Sequence, residues 1–159
     1  MTEAIEIAHP PEAMLRIFNP VLKLALNSPL GSGLKEFMVV SYTGRKSGKR
    51  FAVPVSAHHL DGDLYVVLNA GWKHNFADGA AADVRYKGKT TAMHGQLIKD
   101  PAAVADIAHR IATDKGPKLA QRSMGMKFRD DAVPSLEEFT AAATRLRVAA
   151  IKLTPAAPA

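Results

Sequence analysis

The chain predicts an α+β fold that is mainly β: about six antiparallel strands curled into a barrel, with an N-terminal helix and two shorter C-terminal helices. Three observations predict it. Short β-branched and aromatic runs follow one another between residues 36 and 98, separated by Asp61-Gly62 and Lys87-Gly88, which are two-residue hairpin turns. A stripe of apolar residues with helical spacing precedes these runs, and another follows them. With 159 residues, 47% of them hydrophobic, one domain over residues 1–159 has enough apolar surface for its own core.

The elements follow in order. Residues 10–30 read as helix, with Met14, Leu15, Phe18, Val21, Leu22 and Ala25 on one face and Ser28-Pro29-Leu30-Gly31 as a stop. That helix packs on its own domain or lies on a membrane surface; it is too short and interrupted to span a bilayer. Strands are expected over Glu36–Tyr42, Phe51–His59, Asp63–Asn69, Asp83–Tyr86 and Lys89–Ile98. Asp100-Pro101 opens a helix whose Val104, Ile107, Ala108 and Ile111 recur at i, i+3, i+4 and i+7, and Lys115-Gly116-Pro117 ends it. Lys118–Asp131 reads as a loop or frayed helix able to cover a site. Ser135-Leu136-Glu137-Glu138 is a capping box, Arg145–Leu153 a closing strand, and 154–159 a disordered tail.

Composition narrows the function classes. A formal charge of +6 favours anionic partners, but the surplus is spread along the chain without a Lys/Arg tract, so nucleic acid is not indicated. No cysteine is present, which removes disulfides and thiolate metal sites. Residues 1–7 carry Glu3 and Glu6 and no basic run, so the start does not read as a signal peptide, and a cytoplasmic or membrane-associated location is expected. His58 and His59 are adjacent on a strand and point to opposite faces, and no His-Glu-x-x-His pattern occurs, so no metal is expected. No Gly-x-Ser-x-Gly elbow supplies a hydrolytic nucleophile, and no catalytic residue is named.

One loop stands out. Thr43-Gly44-Arg45-Lys46-Ser47-Gly48-Lys49-Arg50 sets four cations and two glycines between two strands. It is no P-loop: a strand, not a helix, follows it, and three residues rather than four separate the glycines. Its backbone N–H groups, the Ser47 hydroxyl and the Arg45 and Lys46 charges can converge on a phosphate or carboxylate; the alternative is a solvated basic turn. Gly71-Trp72-Lys73-His74-Asn75-Phe76 is the second cluster, either core packing around Trp72 or an apolar wall with polar groups at a pocket mouth.

These residues carry a resemblance. Phe18-Asn19-Pro20, Ser28-Pro29-Leu30-Gly31, Thr43–Lys49 followed by Val53-Pro54-Val55, Asp61–Tyr65, and Trp72-x-x-Asn75-Phe76 together resemble the deazaflavin (F420)-dependent nitroreductase family, which is mostly actinobacterial. The likeness covers about residues 14–98 and, more loosely, Leu153-Thr154-Pro155. It implies a split β-barrel of the flavin and deazaflavin oxidoreductase kind. On matching positions, Arg45, Lys46, Ser47, Gly48 and Lys49 would take the phosphate of coenzyme F420. Pro54 and Val55 would lie along the ring, and Trp72 and Asn75 would close the pocket. The implied reaction is hydride transfer from reduced F420 to a nitroaromatic, quinone or enone. Alternatives are an FMN-dependent reductase and a non-catalytic barrel binding a fatty acid or haem. Related barrels pair along their sheets, so a homodimer is expected. The chain departs from the family pattern at Phe51, where many members carry a basic residue, and in the short link Asn69-Ala70-Gly71 before Trp72.

Overall fold

The computed structural model describes residues 4–7, 37–69, 71–124, 126–130 and 132–156. The helix expected over 10–30 lies outside them. The strands are β1 (Ile5–Ile7), β2 (Phe37–Thr43), β3 (Arg50–Ser56), β4 (His58–Leu60), β5 (Asp63–Leu68), β6 (Ala80–Tyr86), β7 (Lys89–Ile98), β8 (Met126–Phe128) and β9 (Ala149–Pro155). The helices are a 3-10 helix (Gly71–Phe76), α1 (Pro101–Lys115), α2 (Pro117–Met124) and α3 (Leu136–Leu146).

Seven strands form one antiparallel sheet in the order β3-β2-β6-β7-β9-β5-β4. Its two edge strands, β3 and β4, are separated only by Ala57. The sheet therefore curls until its edges meet at that residue, and seven strands correspond to six continuous runs, the second of them bent at Ala57. Curling relieves the exposed edges that an open sheet would present. Both hairpin turns form as expected: Asp61 and Gly62 have φ of 53° and 86°, and Lys87 and Gly88 have 52° and 77°, the left-handed pairs of a type I′ turn.

Strand alternation sorts the core into two layers. Met38, Val40, Val66, Val84, Ile151 and Leu153 face the inside of the curled sheet. On the outer side of β5 and β9, Val67 and Ala150, paired in register, lie under Val104 and Ile111 of α1 and Phe139 of α3. Because β5 is covered on both faces, Leu64–Leu68 is a continuous apolar run rather than an alternating one.

α1 begins as its sequence indicates, with the Asp100 carboxylate accepting from the Ala103 N–H at 3.1 Å and Pro101 in the first turn. Gly116, at φ 86°, ends it. The capping box at α3 is complete: the Glu138 N–H donates to Ser135 Oγ at 3.1 Å, and the Ser135 N–H donates to Glu138 Oε1 at 3.0 Å.

Several boundaries differ from the sequence reading, among them the start of β6, at Ala80 rather than Asp83. α3 runs through Arg145 and Leu146, and Arg147, in left-handed conformation, ends it, so the closing strand starts at Ala149. A capped helix of good helix formers outlasts the strand signal of the residues that follow. That strand extends to Pro155, with Thr154 opposite His94 and Pro155 opposite Met93, so Thr154 and Pro155 belong to the sheet rather than to a tail. Where a loop or frayed helix is expected over 118–131, the described residues hold α2, in keeping with the helical alternative, and β8, a strand not expected, making three α-helices among the described residues instead of two after the sheet. β8 pairs with β1, setting Ile5 opposite Phe128 and Ile7 opposite Met126.

Candidate functional site

The cationic loop is built tightly. The Gly44 N–H donates to the Lys49 carbonyl at 2.8 Å, the Gly48 N–H to the Gly44 carbonyl at 2.9 Å, and the Lys49 N–H to Ser47 Oγ at 3.2 Å. Gly48 sits at φ 70°, where a side chain would be strained. At Gly44 a Cβ would come within 2.8 Å of both the Phe51 ring and Ser47 Oγ, so this glycine lets the loop fold down onto Phe51.

The 3-10 helix Gly71–Phe76 latches that loop. Asn75 Oδ1 accepts from the Arg45 N–H at 2.9 Å, while Asn75 Nδ2 donates to the Trp72 carbonyl at 2.9 Å. One amide thus joins two segments thirty residues apart. Between them lies a cavity of about 270 Å³ lined by Gly44, Arg45, Lys46, Ser47, Phe51, Gly71, His74 and Asn75. No carboxylate is among these residues, so the lining is cationic and polar, with one aromatic wall. Such a lining is suited to a phosphate or carboxylate carried by an organic body.

Strand alternation decides which side chains reach it. Phe51 pairs with Tyr42 and shares its face, whereas Arg50, one place earlier, turns outward. There its guanidinium pairs with Asp83 and donates to Thr43 Oγ1 at 3.3 Å. Phe51, Tyr42 and Trp72 form a stack: Tyr42 is 5.6 Å from Phe51 and 5.5 Å from Trp72, with interplanar angles of 26° and 15°. Phe76 meets Tyr42 edge-on at 5.5 Å. Tyr42 is buried, and that burial raises the pKa of its hydroxyl. Phe51 ends the stack at the cavity with 42% of its surface exposed.

Of the expected site residues, the structure brings Arg45, Lys46, Ser47 and Asn75 to this cavity. Gly48 and Lys49 complete the loop behind it. Pro54 and Val55 lie further along β3, half-buried, with Val55 against the interior core. Trp72 stands behind the lining, packed on Tyr42 and the core, as its core reading expects. His74 lines the cavity, as the pocket-mouth alternative for the Gly71–Phe76 cluster expects; sequence reasoning did not name Phe51 as a lining residue, although it was legible from its alternation with Arg50.

Lys73 is not at the mouth. It is buried, and its ammonium donates to the Arg147 carbonyl at 2.7 Å and the Asn69 carbonyl at 3.4 Å, tying the 3-10 helix to the end of α3. Burial lowers its pKa, and the charges of Arg147 and Lys99 add to that. A cation at the C-terminal end of a helix is favourably placed. Among the described residues no group of three or more His, Asp or Glu could hold a metal ion. Nor is any helix among them long and apolar enough to cross a membrane.

No family model matches the chain, and no curated protein matches it in sequence. Among solved structures, a chain described as a domain-swapped dimer aligns with a TM-score of 0.45 and 12% identity, over 91% of this chain and 100% of its own length. The conserved hypothetical protein Rv2991 from Mycobacterium tuberculosis aligns with a TM-score of 0.45 and 8% identity, over 99% of this chain and 87% of its own.

Proposed function

We propose that the chain is an oxidoreductase that binds reduced coenzyme F420 through the 44–49 loop and delivers its hydride to a small electrophilic acceptor such as a nitroaromatic, quinone or enone. The observation that carries this reading is the cavity at the loop, where Arg45, Lys46 and Ser47 converge beside an exposed aromatic ring and no carboxylate opposes an anion. The motif resemblance supports the identity of the ligand.

The residues present fit the coenzyme's anionic end. Arg45 and Lys46 would hold its phosphate by charge, the Ser47 hydroxyl would orient it, and Asn75 would keep the loop in shape. A cavity of about 270 Å³ takes that end and not the whole molecule, so the flat ring would lie beyond it, along β3. When bound, the deazaflavin supplies the hydride, and the protein supplies binding, orientation and exclusion of water. This division of labour accounts for a site built of cations, glycines and an aromatic ring, with no carboxylate in its lining to complete a hydrolytic triad.

Reversing both charges, Arg45→Glu with Lys46→Glu, is expected to abolish F420 binding while leaving the unfolding midpoint nearly unchanged, because both residues are exposed. Unchanged affinity in a folded double variant would remove the anion site and the enzyme reading with it.

A further inference from the structure

A second cavity, of about 180 Å³, lies at the other end of β3, where Ala57, His58 and His59 at the seam face Tyr86 and the last turn of α1. We infer that it is a separate ligand site for a small monocarboxylate with a flat or branched apolar body. This inference is independent of the coenzyme reading.

Its polar groups come from opposite walls. From the helix, Lys115 Nζ donates to Nδ1 of the buried His58 at 3.1 Å, so a neutral imidazole holds this ammonium in place. From the sheet, His59 Nε2 and the Tyr86 hydroxyl are hydrogen-bonded at 2.9 Å. This pair sets a ring nitrogen and a phenolic oxygen on the sheet side of the cavity. Lys87, outside the lining, holds its ammonium 5.2 Å from the centre of the Tyr86 ring.

Charge and shape set the ligand class. Both histidines resist protonation: burial is the first cause, with Lys115 acting on His58 and with Lys87 and Lys115 acting on His59. The site therefore presents ammonium and neutral donors at neutral pH. Asp114, in the same lining, opposes a second negative charge, which disfavours phosphate and dicarboxylates. The first cavity has no such carboxylate, so the two sites select different anions. Ile111 and Ala57 supply apolar surface, and the volume equals roughly six waters at ~30 Å³ each, enough for a benzoate-sized acid.

The test is a titration of the full chain with fluorobenzoate, read by fluorine NMR, with fluorobenzamide as the uncharged control. Saturable binding of the acid and not the amide is expected. It should weaken about tenfold in Lys115→Met, as a lost charge-assisted hydrogen bond would. It should weaken several-fold in Tyr86→Phe, which preserves the ring packing if Lys115→Met fails to fold. Asp114→Asn should tighten it, an effect a merely structural role would not produce. Equal binding of acid and amide, no saturation, or loss of binding in the Arg45/Lys46 reversal would each overturn the inference.

Discussion

Arg50 and Phe51 differ by one place along β3, and that place decides which of them meets the loop cavity. Arg50 is spent on Asp83 outside the sheet, and Phe51 presents its ring to the cavity. This much follows from strand alternation applied to the sequence, whereas the Asn75 latch does not, because it joins segments that only the tertiary fold brings together. Asn75→Ala should leave the Arg45 N–H without its partner and weaken F420 binding by about 1 kcal/mol, with a small change in stability. An isothermal titration showing wild-type affinity would mean that the loop holds its shape unaided. His58 gives the pH prediction. Its pKa falls from 6.5 to about 3 in the folded chain, chiefly through burial and then through Lys115, while hydrogen bonding to the Ser123 backbone opposes the shift. Between those values the unfolded chain binds the extra proton, so this contribution to stability is fully present above pH 6.5 and is lost as pH falls toward 3. The loss approaches ~5 kcal/mol in total. Denaturant unfolding between pH 5.5 and 6.5, above the main carboxylate range, should show a steeper slope in the native chain than in His58→Gln, which keeps only the His59 contribution; equal slopes would contradict it.

Among the elements, the 3-10 helix matters most to the site, and its position depends on Gly95 of β7. A Cβ there would fall 2.6 Å from the ring of Phe76, a side chain with no exposed surface, so only glycine lets that ring rest on the strand. Gly95→Ala should therefore cost ~1–3 kcal/mol as an overpacked core does. By displacing the helix it should also weaken F420 binding, although Gly95 does not touch the loop. Thermal unfolding and titration together check this; a variant with wild-type stability and affinity would contradict the packing argument. Elements with strong local signals were legible in the sequence: both Gly-containing hairpin turns, the α1 stripe with its Asp100 cap, and the Ser135–Glu138 box. The β1–β8 pair was not, because strands of three residues carry too little periodicity and the partners lie more than a hundred residues apart. The fate of Arg145 and Leu146 was missed for a related reason, since a β-like run after a capped helix can be taken up by that helix.

At the scale of the whole molecule, the junction at Ala57 turns an open sheet into a curled one and places a cavity at each end of β3. Phe51 and Ala57 mark those ends, ~20 Å apart at ~3.3 Å per residue. One end is cationic without carboxylates; the other mixes ammonium, neutral imidazole and Asp114. The strand order was only partly legible. Hairpins announce which consecutive strands pair, but the meeting of β9 with both β5 and β7 depends on packing across the whole chain. The central claim is that the loop cavity binds the anionic end of F420, and a fluorescence titration of F420 with the purified chain at low and high salt tests it most directly. Saturable quenching that weakens as salt screens Arg45 and Lys46 is the predicted result. An unchanged F420 signal at saturating protein would contradict it.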